Sequence, residues 1–392
     1  MYDVIIVGSG IVGLTHALLL SQTSSLRIAV LDAKPPSFSW TKENYDARVY
    51  AITPASQAVF KSIGIWADLE LKRISRFESM EVWDSAGNGH IQFNHADLNV
   101  SELGFIIEES LLRDMLYERA IQQRNITFVA PVVLKELKIN SDGIKVKTET
   151  EVLQGNLLVG ADGAKSWVRE HASISLKSHD YQHTAIIANV ETELPHNNTA
   201  RQCFVADCGG SPLAFLPLQA THASSIVWSL EPEMAAKLMA LDDAEFLERL
   251  GTAFQFRLGK VVSITKRYSF PLLERHAETY IMERVALLGD AAHTLHPLAG
   301  QGVNLGVGDA QVLAQVIKEA YSRKRDYWSY SNLRRFERER KSANLIMLQI
   351  VKIFKELFAS RSTLVSKLRN LGLNFVNQTT LIKKLFARYA MR

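Results

Sequence analysis

Cysteine is nearly absent from the sequence: Cys203 and Cys208 are the two in 392 residues. That count excludes a disulfide-framed scaffold. With no second pair of thiols beside them, a closed thiolate zinc site cannot be assembled from cysteine alone. A reducing compartment is the expected home. Proline is sparse too, 10 residues beside 21 glycines, and the chain is 22% charged and 47% hydrophobic, which excludes a collagenous, disordered or coiled-coil chain. At about 150 residues per domain the length corresponds to two or three domains. Val4 to Leu26 carries no Lys, Arg, Asp or Glu and approaches bilayer-spanning length. It starts without the basic flank of a signal peptide, however, and its β-rich opening is followed by three glycines, so a buried strand, turn and helix explains it better.

The net charge of +4 conceals an asymmetry: 17 Lys and Arg against 4 Asp and Glu from Arg323 onward, and 28 against 37 before it. A basic tail on an acidic body suggests an anionic surface as partner. Nucleic acid is not expected, because the positive charge is confined to the tail and no nucleic-acid-binding motif accompanies it. In that tail Ile346, Ile350, Ile353, Phe354 and Leu357, then Leu364, Leu368, Leu371 and Phe375, recur at helical spacing. These amphipathic helices either pack on the body or a second subunit, or lie on a membrane surface.

The first thirty-two residues read as one βαβ unit, the order a parallel sheet requires. Pro54 opens a helix, Ser110 caps another, and Asp142-Gly143 turns a hairpin. From about Asp180 to Phe270 short β-rich runs dominate, with one helical insert at Ala244 to Phe256, before the first pattern returns at Val285. The expected fold is α/β (α+β, two-domain): a Rossmann-like dinucleotide domain assembled from separated segments (1–75, 106–175, 276–330), a mostly antiparallel β-sheet substrate domain (76–105, 176–275), and C-terminal basic amphipathic helices (331–392).

Gly8-Ser9-Gly10-Ile11-Val12-Gly13 follows a strand and opens a helix, with Asp32 ending the next strand. Gly8 permits the turn, Gly10 lets backbone approach a pyrophosphate, Gly13 brings helix against strand, and Asp32 would accept ribose hydroxyls. This motif alone does not choose between NAD and FAD. Gly289-Asp290-Ala291-Ala292-His293 ends another strand, and Asp290 there can receive a ribityl hydroxyl. The stretch from His296 to Asp309 then packs four glycines, Gly300, Gly302, Gly306 and Gly308, into a loop and helix start. Glycine costs roughly 1 kcal/mol in a helix, so close approach of backbone to a ligand is the reason to expect. His293 and His296 have no nearby thiolate or carboxylate set, and no metal site is expected.

Gly289 to His293 with His296 to Asp309 resembles the signature of the UbiH/UbiF-type ubiquinone-biosynthesis hydroxylases, within the class A FAD-dependent aromatic hydroxylases. Gly160-Ala161-Asp162-Gly163-Ala164-Lys165-Ser166 with Arg169 resembles that class's internal motif, associated with FAD and NAD(P)H. Asp46-Ala47-Arg48 resembles its arginine loop, and Arg113 fits its FAD-contacting helix. The resemblance runs from Met1 to about Glu339, and Asp32 stands where the class usually has Glu.

The resemblance implies bound FAD, NADH or NADPH as electron donor, O2 as co-substrate, a C4a-hydroperoxyflavin, and oxygen transfer to the ring of a polyprenylated phenol or quinol. It also implies that the backbone of Gly300, Gln301, Gly302, Val303 and Asn304 faces the isoalloxazine N1/O2 edge, with Pro297 over the reactive side. No side-chain nucleophile is needed. Phe215, Leu216, Pro217 and Leu218, with Trp228, are expected to line an apolar substrate pocket, unless they are simple core. The partners expected are an anionic membrane surface, other ubiquinone-biosynthesis enzymes and possible further copies of the chain. The place is the cytoplasm, peripheral to the inner membrane. Two rival readings are a hydroxylase of a small soluble phenol and a non-catalytic flavin-binding subunit.

Overall fold

A computed structural model describes residues 1–23, 25–35, 37–294, 302–360, 363–379 and 383–384. The charge-free N-terminal stretch becomes the strand Tyr2–Val7 and the helix Ile11–Ser21, ten of whose eleven residues are buried. A helix apolar all round has to be enclosed, and this one lies against the helices Glu109–Ile121 and Gly302–Ser322. Among the described residues no helix is long and apolar enough to cross a membrane. The strand beside it forms the centre of a parallel sheet, in the order Val285–Leu287, Val152–Gly160, Tyr2–Val7, Ile28–Leu31, Ile126–Val129. The hairpin Leu134–Asn140 and Gly143–Thr148 extends it.

His16 is fully buried in that first helix, its Nδ1 3.0 Å from the carbonyl oxygen of Ala310. Burial lowers its pKa to about 4. The unfolded chain therefore takes up a proton that the native chain refuses, and stability falls as pH drops from the unfolded value near 6.5 toward 4. His16→Asn keeps a donor there and removes the titration. Its stability loss between pH of about 7 and about 4.5, by urea unfolding, is expected to be about 2 kcal/mol smaller than that of the parent.

The second sheet has nine strands, in the order His293–Thr294, Tyr268–Ala277, Leu176–Thr192, Ala223–Leu230, Ser211–Pro217, Thr199–Val205, Ser79–Asp84, His90–Asn94, with Val261–Ile264 paired to Leu176–Thr192. Every pair is antiparallel except Thr199–Val205 with Ser79–Asp84. One face packs on the helices Pro232–Ala240 and Asp243–Ala253, burying Phe215, Trp228, Phe246, Leu250 and Phe254. The opposite face is turned toward the parallel-sheet half.

Two strands are longer than their residues suggest. Tyr268–Ala277 contains Pro271, and Leu176–Thr192 begins with the polar run Ser178-His179-Asp180. Among the described residues the strand on the far side of Pro271 pairs only at Arg275 and His276, so no described ladder needs the N–H that proline lacks. Ser110 is not the cap of its helix. Glu108 holds that position, and the Ser110 N–H instead donates to Asp46 Oδ2 at 2.7 Å, because the arginine loop folds over the helix start.

The C-terminal helices pack on the body. Tyr330–Ala359 lies on Gly302–Ser322, and Thr363–Gln378 lies along the edge strand His90–Asn94. There Asn370, Asn374 and Asn377 accept the backbone N–H groups of Gly89, His90 and Gln92, covering donors that a free edge would expose. Arg369 Nε, buried, donates to Asp84 Oδ2 at 2.8 Å, and Phe358 stacks on Phe204.

Candidate active site

The glycine turn is built by contacts. Gly8 has φ +106°, and a Cβ on it would lie 2.3 Å from the carbonyl oxygen of Ala161; one on Gly13 would lie 2.0 Å from that of Gly8. Neither position has room for a side chain. Gly10 differs: its backbone is extended (φ −75°, ψ −179°), and a Cβ there meets nothing within 4 Å. Open space also lies before Gly163 and Gly302. Three segments distant in sequence thus turn bare backbone toward one space, at the head of a helix whose first N–H groups suit an anion.

That space is a cavity of about 1690 Å³ between the two large sheets, larger than the roughly 300–1,000 Å³ that one small ligand fills. Gly10, Arg48, Arg113, Gly163, Asp290, Gly302 and Val303 all line it. Arg48 pairs with Glu109 at 3.5 Å; burial works against its charge, but Tyr50, Glu109 and Asp290 outweigh that and hold it protonated. Arg113 donates to Ser39 Oγ at 2.6 Å. Asp290 points into the cavity, and desolvation by the surrounding protein raises its pKa against the pull of His293, Arg48 and Arg275. Asp162 is likewise raised by desolvation. Its Oδ2 accepts the N–H of Val168 at 3.0 Å, while Oδ1 is buried with no hydrogen-bond partner among the described residues. Arg169 joins two motifs, donating to the carbonyl oxygens of Ala291 at 2.9 Å and Ala164 at 3.0 Å.

Beneath Gly289 lies a polar knot. Asp309, fully buried, accepts from the Gly289 N–H at 3.2 Å, Arg340 Nε at 2.8 Å and Asn344 Nδ2 at 3.2 Å, and meets His293 Nε2 at 2.5 Å. Burial alone would raise its pKa, but His293 and Arg340 bring it down to about 2. The first carboxylate of the long motif, Asp290, therefore faces the cavity, and the last, Asp309, organises the turn behind it.

Other expected residues take different positions. Asp32 ends its strand beside the glycine turn, but does not line the cavity. Its carboxylate accepts Ser9 N–H at 2.8 Å, Ser9 O–H at 2.7 Å and Lys34 N–H at 3.0 Å, leaving further lone pairs for a ligand. Asn304 spends its side chain on the strand Val49–Ile52, donating to the Ala51 carbonyl at 2.8 Å and accepting from Thr53 N–H at 3.1 Å. Pro297, Gly300 and Gln301, with His296, lie outside the described residues.

The expected substrate lining needs correction. Phe215 stacks on Phe254 at 3.8 Å between centroids, and Trp228 meets Phe246 edge-on at 6.3 Å, in the core under the sheet. Neither they nor Pro217 line the cavity. Successive strand residues face opposite sides, so of the run Phe215-Leu216-Pro217-Leu218 it is Leu216 that lines the cavity, and the unremarked Ala214, Ser225 and Val227 complete the wall. Tyr50, Arg275 and Thr294 were also missed and line the cavity. Tyr50 could have been found by period two from Arg48; nothing local marks the other two. Among the described residues no group of His, Cys, Asp and Glu could hold a metal ion.

The chain resembles known proteins over its whole length. The family described as FAD binding domain matches residues 1–346. The "3-demethoxyubiquinol 3-hydroxylase" of Escherichia coli (strain K12) is 32% identical, over 99% of this chain and 98% of its own. The "Ubiquinone hydroxylase UbiL" of Rhodospirillum rubrum is 33% identical, over 99% and 89%. Among solved structures, p-nitrophenol 4-monooxygenase PnpA from Pseudomonas putida DLL-E4 superimposes with a TM-score of 0.80 at 18% identity, over 100% of this chain and 98% of its own, and shares the fold. The chain belongs to the FAD-binding family that includes the ubiquinone-biosynthesis hydroxylases, and is an FAD-dependent monooxygenase.

Proposed function

We propose that the chain hydroxylates the aromatic ring of a polyprenylated phenol or quinol in ubiquinone biosynthesis, with NADH or NADPH as electron donor and O2 as the oxygen source. The observation that supports this most is the continuity of the cavity: open glycine backbone at one end, an apolar sheet face at the other, and volume for a cofactor and a guest together. When bound, FAD supplies the oxygen activation that no side chain can. Gly10 with the following helix start would take its pyrophosphate, Asp32 its ribose, and Asp290 a hydroxyl of its ribityl chain. Arg48, kept charged at the cavity wall, would place a positive field near the cofactor. Leu216 and Val227 would exclude water and hold the substrate ring flat against the sheet.

The stoichiometry to test is ArH + O2 + NAD(P)H + H⁺ giving ArOH + H2O + NAD(P)⁺. Purified holoenzyme under ¹⁸O2 is expected to add one labelled oxygen to a prenylated phenol. Labelling of ring-only phenols alone would move the assignment to a soluble substrate. No oxygen-dependent turnover with any donor, despite bound flavin, would indicate a non-catalytic subunit.

A substrate with a long prenyl chain stays in lipid, since each buried methylene contributes about 0.8 kcal/mol. The basic C-terminal helices, with Lys352 and Lys367 exposed, would bring the enzyme to an anionic bilayer at about 1 kcal/mol per charge. The double variant Lys352→Glu, Lys367→Glu is expected to bind phosphatidylglycerol vesicles at least about tenfold more weakly in co-sedimentation. Unchanged binding would remove these helices from a docking role.

A further inference from the structure

The cavity continues well past the glycine turns, Arg48 and Asp290. Its far half lies between the sheet face, at Val82, Phe93 and Phe204, and the last two helices, at Ile350, Leu373 and Val376. Gly372 lines it as well, deep inside the sixteen-residue helix Thr363–Gln378. Glycine is a poor helix former, and nothing local requires it here: its φ is not positive, and a Cβ would meet no atom within 4 Å. A larger residue would fit the helix and occupy the open space at this end of the cavity. Leu368 and Val376, one turn to either side, line the same space.

The wall is held in place. Asn370, Asn374 and Asn377 fasten this helix to the edge strand, and Arg369 is anchored on Asp84. The helix therefore does not relax into the space that Gly372 leaves. Ile346 and Leu368 line the cavity and are 52% and 60% exposed, so apolar surface is left uncovered where the last two helices meet it. Leu371 and Phe375, 66% and 61% exposed, flank it. The walls are mostly apolar, and the two guanidinium groups among them, Arg201 and Arg369, are engaged by Glu81 and Asp84, so the chamber suits a long aliphatic chain rather than a polar ligand.

We propose that the far half of the cavity is a separate subsite for the aliphatic chain of the substrate, entered between the last two helices, and that Gly372 sets the chain length it accepts. This rests on the reading of the substrate as a chain-bearing phenol. The test measures binding of 2-methylphenol, 2-geranylphenol and 2-farnesylphenol to holoenzyme by perturbation of flavin absorbance. For the parent, affinity is expected to rise with chain length. In Gly372→Trp, farnesylphenol binding is expected to weaken at least about tenfold while methylphenol stays within about twofold. Val376→Trp, one turn along, serves as a second variant with the same expectation.

Equal affinity of the parent for the three phenols would overturn the chamber and leave the ring chemistry standing. Chain dependence that both tryptophan variants leave intact, or equal losses for all three ligands, would overturn the assignment of Gly372. Absence of binding by any of the three would overturn the ring-hydroxylase reading and this subsite with it.

Discussion

Gly10→Val is expected to yield a folded protein that cannot retain FAD. The backbone at Gly10 is extended, a conformation valine adopts readily, and the added Cβ meets no atom of the described residues within 4 Å. Only the helix cap suffers, at about 1 kcal/mol. The two valine methyls would stand where bare backbone meets the cofactor's pyrophosphate, so FAD affinity is expected to fall at least about 100-fold, equivalent to about 3 kcal/mol. Far-UV circular dichroism and the urea midpoint of the apoprotein would stay near those of the parent. Gly13→Ala should do the reverse, because its Cβ would sit 2.0 Å from the Gly8 carbonyl oxygen. That variant is expected to lose stability first and flavin as a consequence. Equal flavin retention by Gly10→Val and the parent would remove the glycine turn from the cofactor site.

Asp309→Asn is expected to cost about 3–5 kcal/mol of stability, the usual result of removing one partner from a buried ion pair. Its carboxylate is the common acceptor for Arg340 from the C-terminal helix, His293 and the Gly289 turn. Neutralising it leaves the half-buried Arg340 guanidinium without its counter-charge and loosens the turn that presents Asp290. Thermal unfolding and FAD retention should fall together.

The pH dependence has a definite sign. The folded pKa of Asp309 lies near 2 against an ordinary 3.8, so its contribution is complete above about 3.8 and is lost as pH falls toward 2. The acid limb of the parent's stability profile in that window should be absent from the variant. A variant as stable as the parent would mean that the C-terminal helix is held by its other contacts alone.

The parts of the site legible in the sequence are those in which local geometry imposes a residue type. Gly8 and Gly13 must be glycine because backbone oxygens lie 2.3 and 2.0 Å from where their Cβ would be, far inside van der Waals contact. The apolar Ile11–Ser21 helix had to be interior because it has no polar face to leave in water. The long motif ending at Asp309 was likewise visible, but not the division of labour between its two carboxylates, which depends on Arg340, thirty-one residues further along. In the tail, apolar spacing predicted helices and left their partner open. The hydrogen bonds of Asn370, Asn374 and Asn377 to one edge strand decided it, and a polar side chain at helical spacing does not announce such a role.

The sheet wall shows the same limit more sharply. Phe215 and Trp228 were the conspicuous residues of their strands, yet the cavity belongs to Leu216 and Val227. Strand alternation separates such neighbours with certainty, but which of the two faces receives the covering helices is settled only when Asp243–Ala253 packs down. The sequence by itself determined the cofactor turn, the parallel sheet around it and the basic helical tail, because each follows from forces acting within a few residues. Only the tertiary structure decided which sheet face meets the ligand, what Asp309 holds and where the last helices seat. Those outcomes depend on groups far apart in the chain, whose attraction and fit exist only after folding has brought them together.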